Sequence, residues 1–340
     1  MLTNLHNNFH AGYYYLIKEL AKHEKVACYG NFDTRRKLFP LDINNSFFAR
    51  ANLKFGKGWH KLSKKLSRKK RVGDIKRLSE DFDVAIVLLN SFFAQVGYSQ
   101  NVDFIKCRKV NIIADIHLGY GDYLRCIQKV KFDLILFVYK WWMNKLRGKV
   151  QSEVGLLPHS VNTEIFKDYG LPRKYDVVSA GTRFSEAYPL REKIYNAFST
   201  DSSVKFSMPI HPQLTMKRPR FASDFNSHMI RENYARFLSQ SKIFAFGSSI
   251  HNYALAKYVE GMASGTLVLA PKPKDFEHLG FKPYRHFVPI TSGDFNSLAH
   301  HYLKFPYARR TITEKARKLV EDYHSTKIRC QQLREFLHGL

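Results

Sequence analysis

The chain has 340 residues, of which 44% are hydrophobic and 14% aromatic. That composition excludes a disordered or collagen-like polypeptide and leaves room for about two domains. Lys and Arg number 55 against 29 Asp and Glu, a net charge of +26 spread over both halves. This balance calls for an anionic partner without naming it: nucleotide, phosphorylated sugar, lipid surface and nucleic acid all fit.

The chain opens on Asn4, His6, Asn7 and Asn8, polar residues that interrupt any apolar leader. No signal peptide is therefore read there. A Gly-containing segment, Asn8-Phe-His-Ala-Gly12, leads into a predicted helix at Tyr13–His23. Short β-rich runs then stand at Val26–Tyr29, Val84–Leu89, Val110–Ala114 and Leu134–Val138. After Pro158 come Val177–Ala180, Val204–Ser207, Ile243–Phe246 and Thr266–Ala270, with a predicted helix at Ser185–Phe198. Continuous apolar runs of this length suit strands buried on both faces of a parallel sheet. The pattern, α/β in kind, occurs twice, with linker and turn chemistry near 158–174. The expected organisation is an N-terminal domain at 1–160, a second at 161–310 and a helical segment at 311–340.

Residues 50–77 hold twelve Lys and Arg and one acid, Asp74. Phe55, Trp59, Leu62 and Leu66 fall at helical spacing within them, which reads as a basic amphipathic helix of the membrane-surface kind. The segment Lys140–Arg147, with Trp141 and Trp142, is a second aromatic and basic patch. No apolar run is long enough to span a bilayer. The expected location is the cytoplasm, at most peripheral on the inner face of a membrane. The four cysteines lack C-x-x-C spacing and no HExxH occurs, so no metal site is expected.

The most informative stretch is Ser248-Ser-Ile-His-Asn-Tyr-Ala-Leu-Ala-Lys-Tyr-Val-Glu-Gly-Met-Ala-Ser-Gly-Thr-Leu-Val-Leu269. A strand ends near Phe246, a polar turn through Ser249 follows, and a helix leads to the next strand. Leu255, Val259 and Met262 form its predicted apolar face. Tyr253, Lys257, Glu260 and Ser264 form its predicted polar face. A helix start at a strand's carboxyl end favours phosphate, and Lys257 adds charge one turn in. Spacing alone also allows Lys257 and Glu260 to be an exposed i, i+3 pair.

This stretch resembles the donor-site signature of GT-B-fold glycosyltransferases of the group-1, family 4-like kind. Leu157-Pro-His-Ser-Val-Asn-Thr-Glu-Ile-Phe166 is similar to the family's interdomain element. Tyr175-Asp-Val-Val-Ser-Ala-Gly-Thr-Arg183 and Tyr188-Pro-Leu-Arg191 resemble the opening of the second domain in the spore-maturation-protein-like branch. Lys131-Phe-Asp-Leu-Ile-Leu136 and Ala114-Asp-Ile-His117 also fit that branch. The resemblance implies two Rossmann-like domains facing across a cleft, with a C-terminal helix crossing back. It implies transfer of a sugar from a nucleotide-diphosphate donor to a glycan or lipid-linked acceptor, with retention and without a cofactor or metal. By resemblance, Glu260 would hold the ribose hydroxyls and Arg183 the diphosphate. Arg191 and Lys257 would add positive charge, and His117 would touch the donor sugar. Ser249, Asn252, Tyr253 and Ser264 would line the donor pocket, and His10 and Gly12 would lie on the acceptor side. Asn252 departs from the family, which often carries a second glutamate there. Its loss motivates the alternative of a non-catalytic nucleotide- or polysaccharide-binding module. Nucleic acid is the least favoured partner.

Overall fold

The structure is a computed structural model. It describes residues 2–4, 11–29, 40–41, 80–88, 102, 105–114, 116–118, 120–183, 185–209, 231–274 and 276–340. The chain divides into two units. One comprises Met1–Pro158 with Arg329–Leu340, the other His159–Ile328.

The first unit begins with β1 (Leu2–Asn4), α1 (Ala11–Leu20), β2 (Ala27–Tyr29), β3 (Pro40–Leu41) and β4 (Val84–Leu88). It continues with β5 (Arg108–Ile113), α2 (Tyr120–Val130), β6 (Leu134–Phe137), α3 (Lys140–Leu146) and β7 (Glu153–Leu156). The sheet order is β3-β2-β1-β4-β5-β6-β7. All neighbours are parallel except β2 and β3. This is the doubly wound arrangement, and its strand order reverses between β1 and β4. The loops that follow those two strands lie outside the described residues, as do the basic segment 50–77 and His10.

The longer strands were legible because burial on both faces makes them continuously apolar: β6 is buried at all four positions. No continuous apolar run marks β1, β3 or β7. Each is short or polar and finds its pairing only in the sheet. In α3, Trp142 and Met143 are buried. Half of the aromatic patch expected at 140–147 is therefore core, and Trp141 is its exposed ring. The Lys145 ammonium lies 4.8 Å from the centre of the Trp141 ring and 4.9 Å from that of Tyr120.

The second unit contains β8 (Tyr175–Val178), α4 (Pro189–Thr200), β9 (Phe206–Ser207), α5 (Arg231–Ser239), β10 (Ser241–Ala245) and α6 (Ala256–Ala263). It continues with β11 (Leu267–Ala270), β12 (Val288–Pro289), α7 (Phe295–Lys304) and α8 (Pro306–Tyr323). Its sheet, β12-β11-β10-β8-β9, is parallel throughout. The order reverses between β8 and β10. In such sheets ligands bind beyond the carboxyl ends of the strands at that reversal. Apolar clusters cover both faces, one built on Phe244, Phe246, Tyr258 and Met262, the other on Ile194, Phe198, Ile243 and Leu269.

The predicted helical segment at 311–340 is two helices, and they part company. α8 packs in the second unit. α9 (Thr326–His338) starts in the second unit and runs on in the first. There Cys330 and Leu333 join Leu16, Ile17 and Leu20 in one core, and Arg334 donates to Glu24 at 2.8 Å. A Cβ on Gly155 would lie 2.7 Å from the Phe336 ring, so only glycine lets α9 pack so closely on β7. No helix among the described residues is long and apolar enough to cross a membrane.

Candidate functional site

The reversal point of the second sheet is framed by two loops. After β8 come Ser179, Ala180, Gly181, Thr182 and Arg183; after β10 come Phe246, Gly247, Ser248 and Ser249. One side chain ties these loops together. Arg191, in the first turn of α4, is 2% exposed. Its guanidinium donates to the Thr182 carbonyl at 2.8 Å and to the Gly247 carbonyl at 3.0 Å, and it lies 3.9 Å from the centre of the Tyr188 ring. The glycines make room for this. Gly181 has φ +111°, and a Cβ there would fall 2.6 Å from the Arg191 guanidinium. A Cβ on Gly247 would fall 2.8 Å from the Arg191 backbone nitrogen.

α6 approaches the same place from below β10. Gly261 lets it sit directly on Phe244 and Val268, and Val259 and Met262 are buried as expected of its apolar face. Leu255 at the N-cap brings no side-chain acceptor; the Tyr258 amide donates to the Leu255 carbonyl at 3.1 Å, which leaves the Ala256 and Lys257 amides available to a ligand or to water. Lys257 and Glu260 are half-buried. Among the described residues neither the ammonium nor the carboxylate has a hydrogen-bond or ion-pair partner. Burial and the nearby Arg191 charge pull the Lys257 ammonium down to about 8, with Glu260 opposing them. Burial raises the Glu260 carboxyl, and Lys257 works against it. Burial brings Arg191 to about 10. From α5, Tyr234 adds a buried hydroxyl with no partner among the described residues. Burial and Glu260 raise it well above the usual phenol range. Two cations, a carboxylate and a phenol thus lie close together, and among the described residues the Lys257 and Glu260 charges are not tied up in hydrogen bonds or ion pairs. Such groups are spared for a ligand or are costly for nothing.

Several expectations change here. Arg183 was grouped with Lys257 and Glu260, but it is exposed. Its guanidinium stands 3.6 Å from the Glu192 carboxylate and 3.7 Å from the Tyr195 ring centre. Arg191, expected as a secondary cation, is the arginine beside Lys257. Asn252 was expected to face the donor. It occupies φ +53°, a left-handed position that asparagine tolerates. Its amide accepts from the Ser248 hydroxyl at 2.8 Å and donates to the Lys272 carbonyl at 2.6 Å. It latches the loop before α6 to the loop after β11. The Ser249 hydroxyl accepts from the His251 amide at 3.3 Å. Tyr253 and Ser264 are not on a polar face. Tyr253 is 4% exposed and stacks on His251. Ser264 is fully buried and donates to the Glu260 carbonyl, closing the far end of α6.

In the first unit, His117 lies in a single 3-10 turn, Ile116–Leu118, following β5 and half-buried. Gly12 lies in α1. Sequence reasoning assigned no role to Tyr234, Tyr188 or Gly181. Nothing in the spacing of residues around Tyr234 announces a buried phenol. No three His, Cys, Asp or Glu side chains converge as metal ligands among the described residues.

Residues 204–335 match the family model described as glycosyl transferase-like. That stretch carries α6, Lys257 and Glu260. Among solved structures, the chain is similar to Anabaena HepE in complex with UDP and glucose, at 12% identity and TM-score 0.68, over 100% of this chain and 99% of that one. It is similar to a glycosyltransferase from Rickettsia africae, at 12% identity and TM-score 0.61, over 98% and 96%. It is similar to the sucrose-phosphate synthase of Thermosynechococcus elongatus, at 16% identity and TM-score 0.54, over 80% and 79%. A search of curated protein sequences finds no match. The chain has the GT-B fold, two Rossmann-like units with a C-terminal helix that returns to the first.

Proposed function

We propose that the protein is a glycosyltransferase that takes a sugar from a nucleotide-diphosphate donor and passes it to a glycan or lipid-linked acceptor. One observation carries this reading. At the reversal point of the second sheet, Arg191 and Lys257 place positive charge beside Glu260, whose carboxylate has no hydrogen-bond or ion-pair partner among the described residues. A diphosphate leaving group gains negative charge as the glycosidic bond breaks, and fixed cations in a desolvated pocket stabilise it. Lys257 is the group we assign to that charge, Arg191 its positioning neighbour, and Glu260 the acceptor for ribose hydroxyls. The HepE structures hold UDP and UDP-glucose, which supports a nucleotide sugar as donor here. His117 is proposed to face the donor sugar, and His10 and Gly12 the acceptor. The reaction is read as retaining and independent of metal. The segments like those of the spore-maturation-protein-like branch support a place in that branch. The basic residues at 50–77 support attachment to an anionic membrane face.

Glu260→Gln tests the assignment. The amide keeps the shape and loses the charged acceptor, so KM for the donor is expected to rise about 30-fold, the weight of one or two charge-assisted hydrogen bonds. The preference for a nucleoside diphosphate over its 2′-deoxy analogue should shrink by the same factor. If the variant still discriminates between them fully, Glu260 does not hold the ribose. A thermal-shift panel of nucleoside diphosphates names the base, because a saturating ligand raises the melting point of the form it binds. The non-catalytic reading rested on Asn252, whose place as a loop latch removes that motive. Tight diphosphate binding without turnover of any nucleotide sugar would restore it.

A further inference from the structure

At the opposite end of the second sheet lies another charged hollow. It occupies about 350 Å³ and sits beside the amino ends of β8, β10 and β11, where Arg173, Lys242 and Gly265 stand. One face of α8 closes it with Pro306, Arg309, Arg310, Thr313, Glu314 and Arg317, residues spaced at i, i+3, i+4, i+7, i+8 and i+11. The strands between are four to five residues long, so this hollow stands about 15 Å from Lys257.

Five cations line it against two acids, Asp168 and Glu314. Part of the charge is compensated. Arg173 pairs with Asp168 at 2.7 Å and Lys242 with Asp176 at 2.6 Å. Arg317 has only an exposed contact with Glu321 at 3.5 Å. Arg309 donates to the Tyr302 carbonyl at 2.6 Å, which fixes its guanidinium without neutralising it. Arg310 is exposed and has no partner among the described residues. Burial lowers the Arg309 pKa, and the charges of Arg173 and Arg310 lower it further, with only Asp176 opposing. Arg309 and Arg310 are adjacent and neither has an ion-pair partner among the described residues, so they repel one another and a bound anion would relieve that repulsion. Guanidinium forks match tetrahedral oxyanions with two parallel hydrogen bonds each. The start of α8 at Pro306 adds its positive dipole end on the same side.

We propose that the hollow between Arg173, Lys242, Arg309, Arg310 and Arg317 is a second phosphate site, separate from the donor pocket and suited to a phosphate monoester or a pyrophosphate group. Its volume fits a sugar-phosphate-sized ligand. Arg309 and Arg310 supply the uncompensated charge, and the paired Arg173 and Lys242 form the floor.

Calorimetric titration of the full chain with inorganic pyrophosphate tests this. Two classes of site are expected. Arg310→Ala should weaken one class at least tenfold and leave the other, and Lys257→Met should do the reverse. The Arg310 guanidinium is exposed and has no hydrogen-bond or ion-pair partner among the described residues, so its removal is not expected to disturb folding, and Arg310→Lys should recover part of the loss. A single class removed by Lys257→Met and untouched by Arg310→Ala would overturn the proposal, as would no binding at millimolar pyrophosphate. Competition by glucose 6-phosphate for the Arg310-dependent class would identify a soluble ester. Capture of vesicles carrying phosphatidic acid, reversed by pyrophosphate, would identify a lipid headgroup; either result sustains phosphate recognition. Binding of a single-stranded oligonucleotide that pyrophosphate cannot displace would overturn it.

Discussion

Lys257→Met is expected to make the ligand-free protein more stable and the proposed sugar transfer about a hundredfold to a thousandfold slower. The two effects share one cause. Burial and Arg191 hold the ammonium at about 8 against a usual 10.5, so keeping it charged at neutral pH costs on the order of 3 kcal/mol. Methionine fills the same space without a charge, and the melting temperature should rise by several degrees. The same cation would stabilise the leaving diphosphate, and losing one such group from a preorganised site typically costs two to three orders of magnitude in rate. The pH dependence has a definite sign. Between about pH 8 and 10.5 the unfolded chain holds this proton and the folded one does not, so the contribution of Lys257 to stability rises with pH across that window. Donor affinity runs the other way and should fall above about pH 8 in the wild type, but not in the methionine variant. A Lys257→Met protein that melts earlier, or that turns over normally, would show the lysine to be structural.

Arg191→Ala should act on both stability and binding. The guanidinium supplies donors to Thr182 and Gly247 in a buried setting. Its loss leaves two carbonyls without those donors and opens a cavity beside Gly181, a destabilisation of about 3 kcal/mol. The loops after β8 and β10 would then no longer be held in one arrangement, and donor binding should weaken at least tenfold. Arg191→Lys keeps the charge but cannot reach both carbonyls as a planar fork does, so an intermediate result is expected. Denaturant midpoints and separate KM and kcat values check this. A positioning role moves KM in the lysine variant while its stability is largely retained. Full stability and unchanged donor affinity in the alanine variant would remove Arg191 from the account.

These residues also show where reading the sequence stops. β6 and β11 were legible because a strand buried on both faces is apolar throughout. β1, only Leu2–Asn4, was not, because three residues carry no period and their pairing with β2 and β4 is supplied by the sheet. Lys257 and Glu260 could be singled out because a strand, a polar turn and a helix in succession place a helix start where phosphates bind. The choice between Arg183 and Arg191 could not be made that way. Both follow the same strand, and their separation depends on the path of the chain through Tyr188 and Pro189. Ser264 and Tyr253 were misplaced for a related reason: a helical wheel gives angles around an axis but not how far neighbouring elements cover it.

The linear order of residues determined the repeated α/β pattern, the excess of positive charge and the helix that bears Lys257 and Glu260, since each follows from local periodicity and composition. The tertiary structure alone decided which arginine joins them, that Asn252 is spent on a loop latch, and that the chain's last twelve residues rejoin its first unit. Those outcomes depend on contacts between segments far apart in the chain, whose energies come from packing and desolvation and leave no mark in any short stretch of sequence.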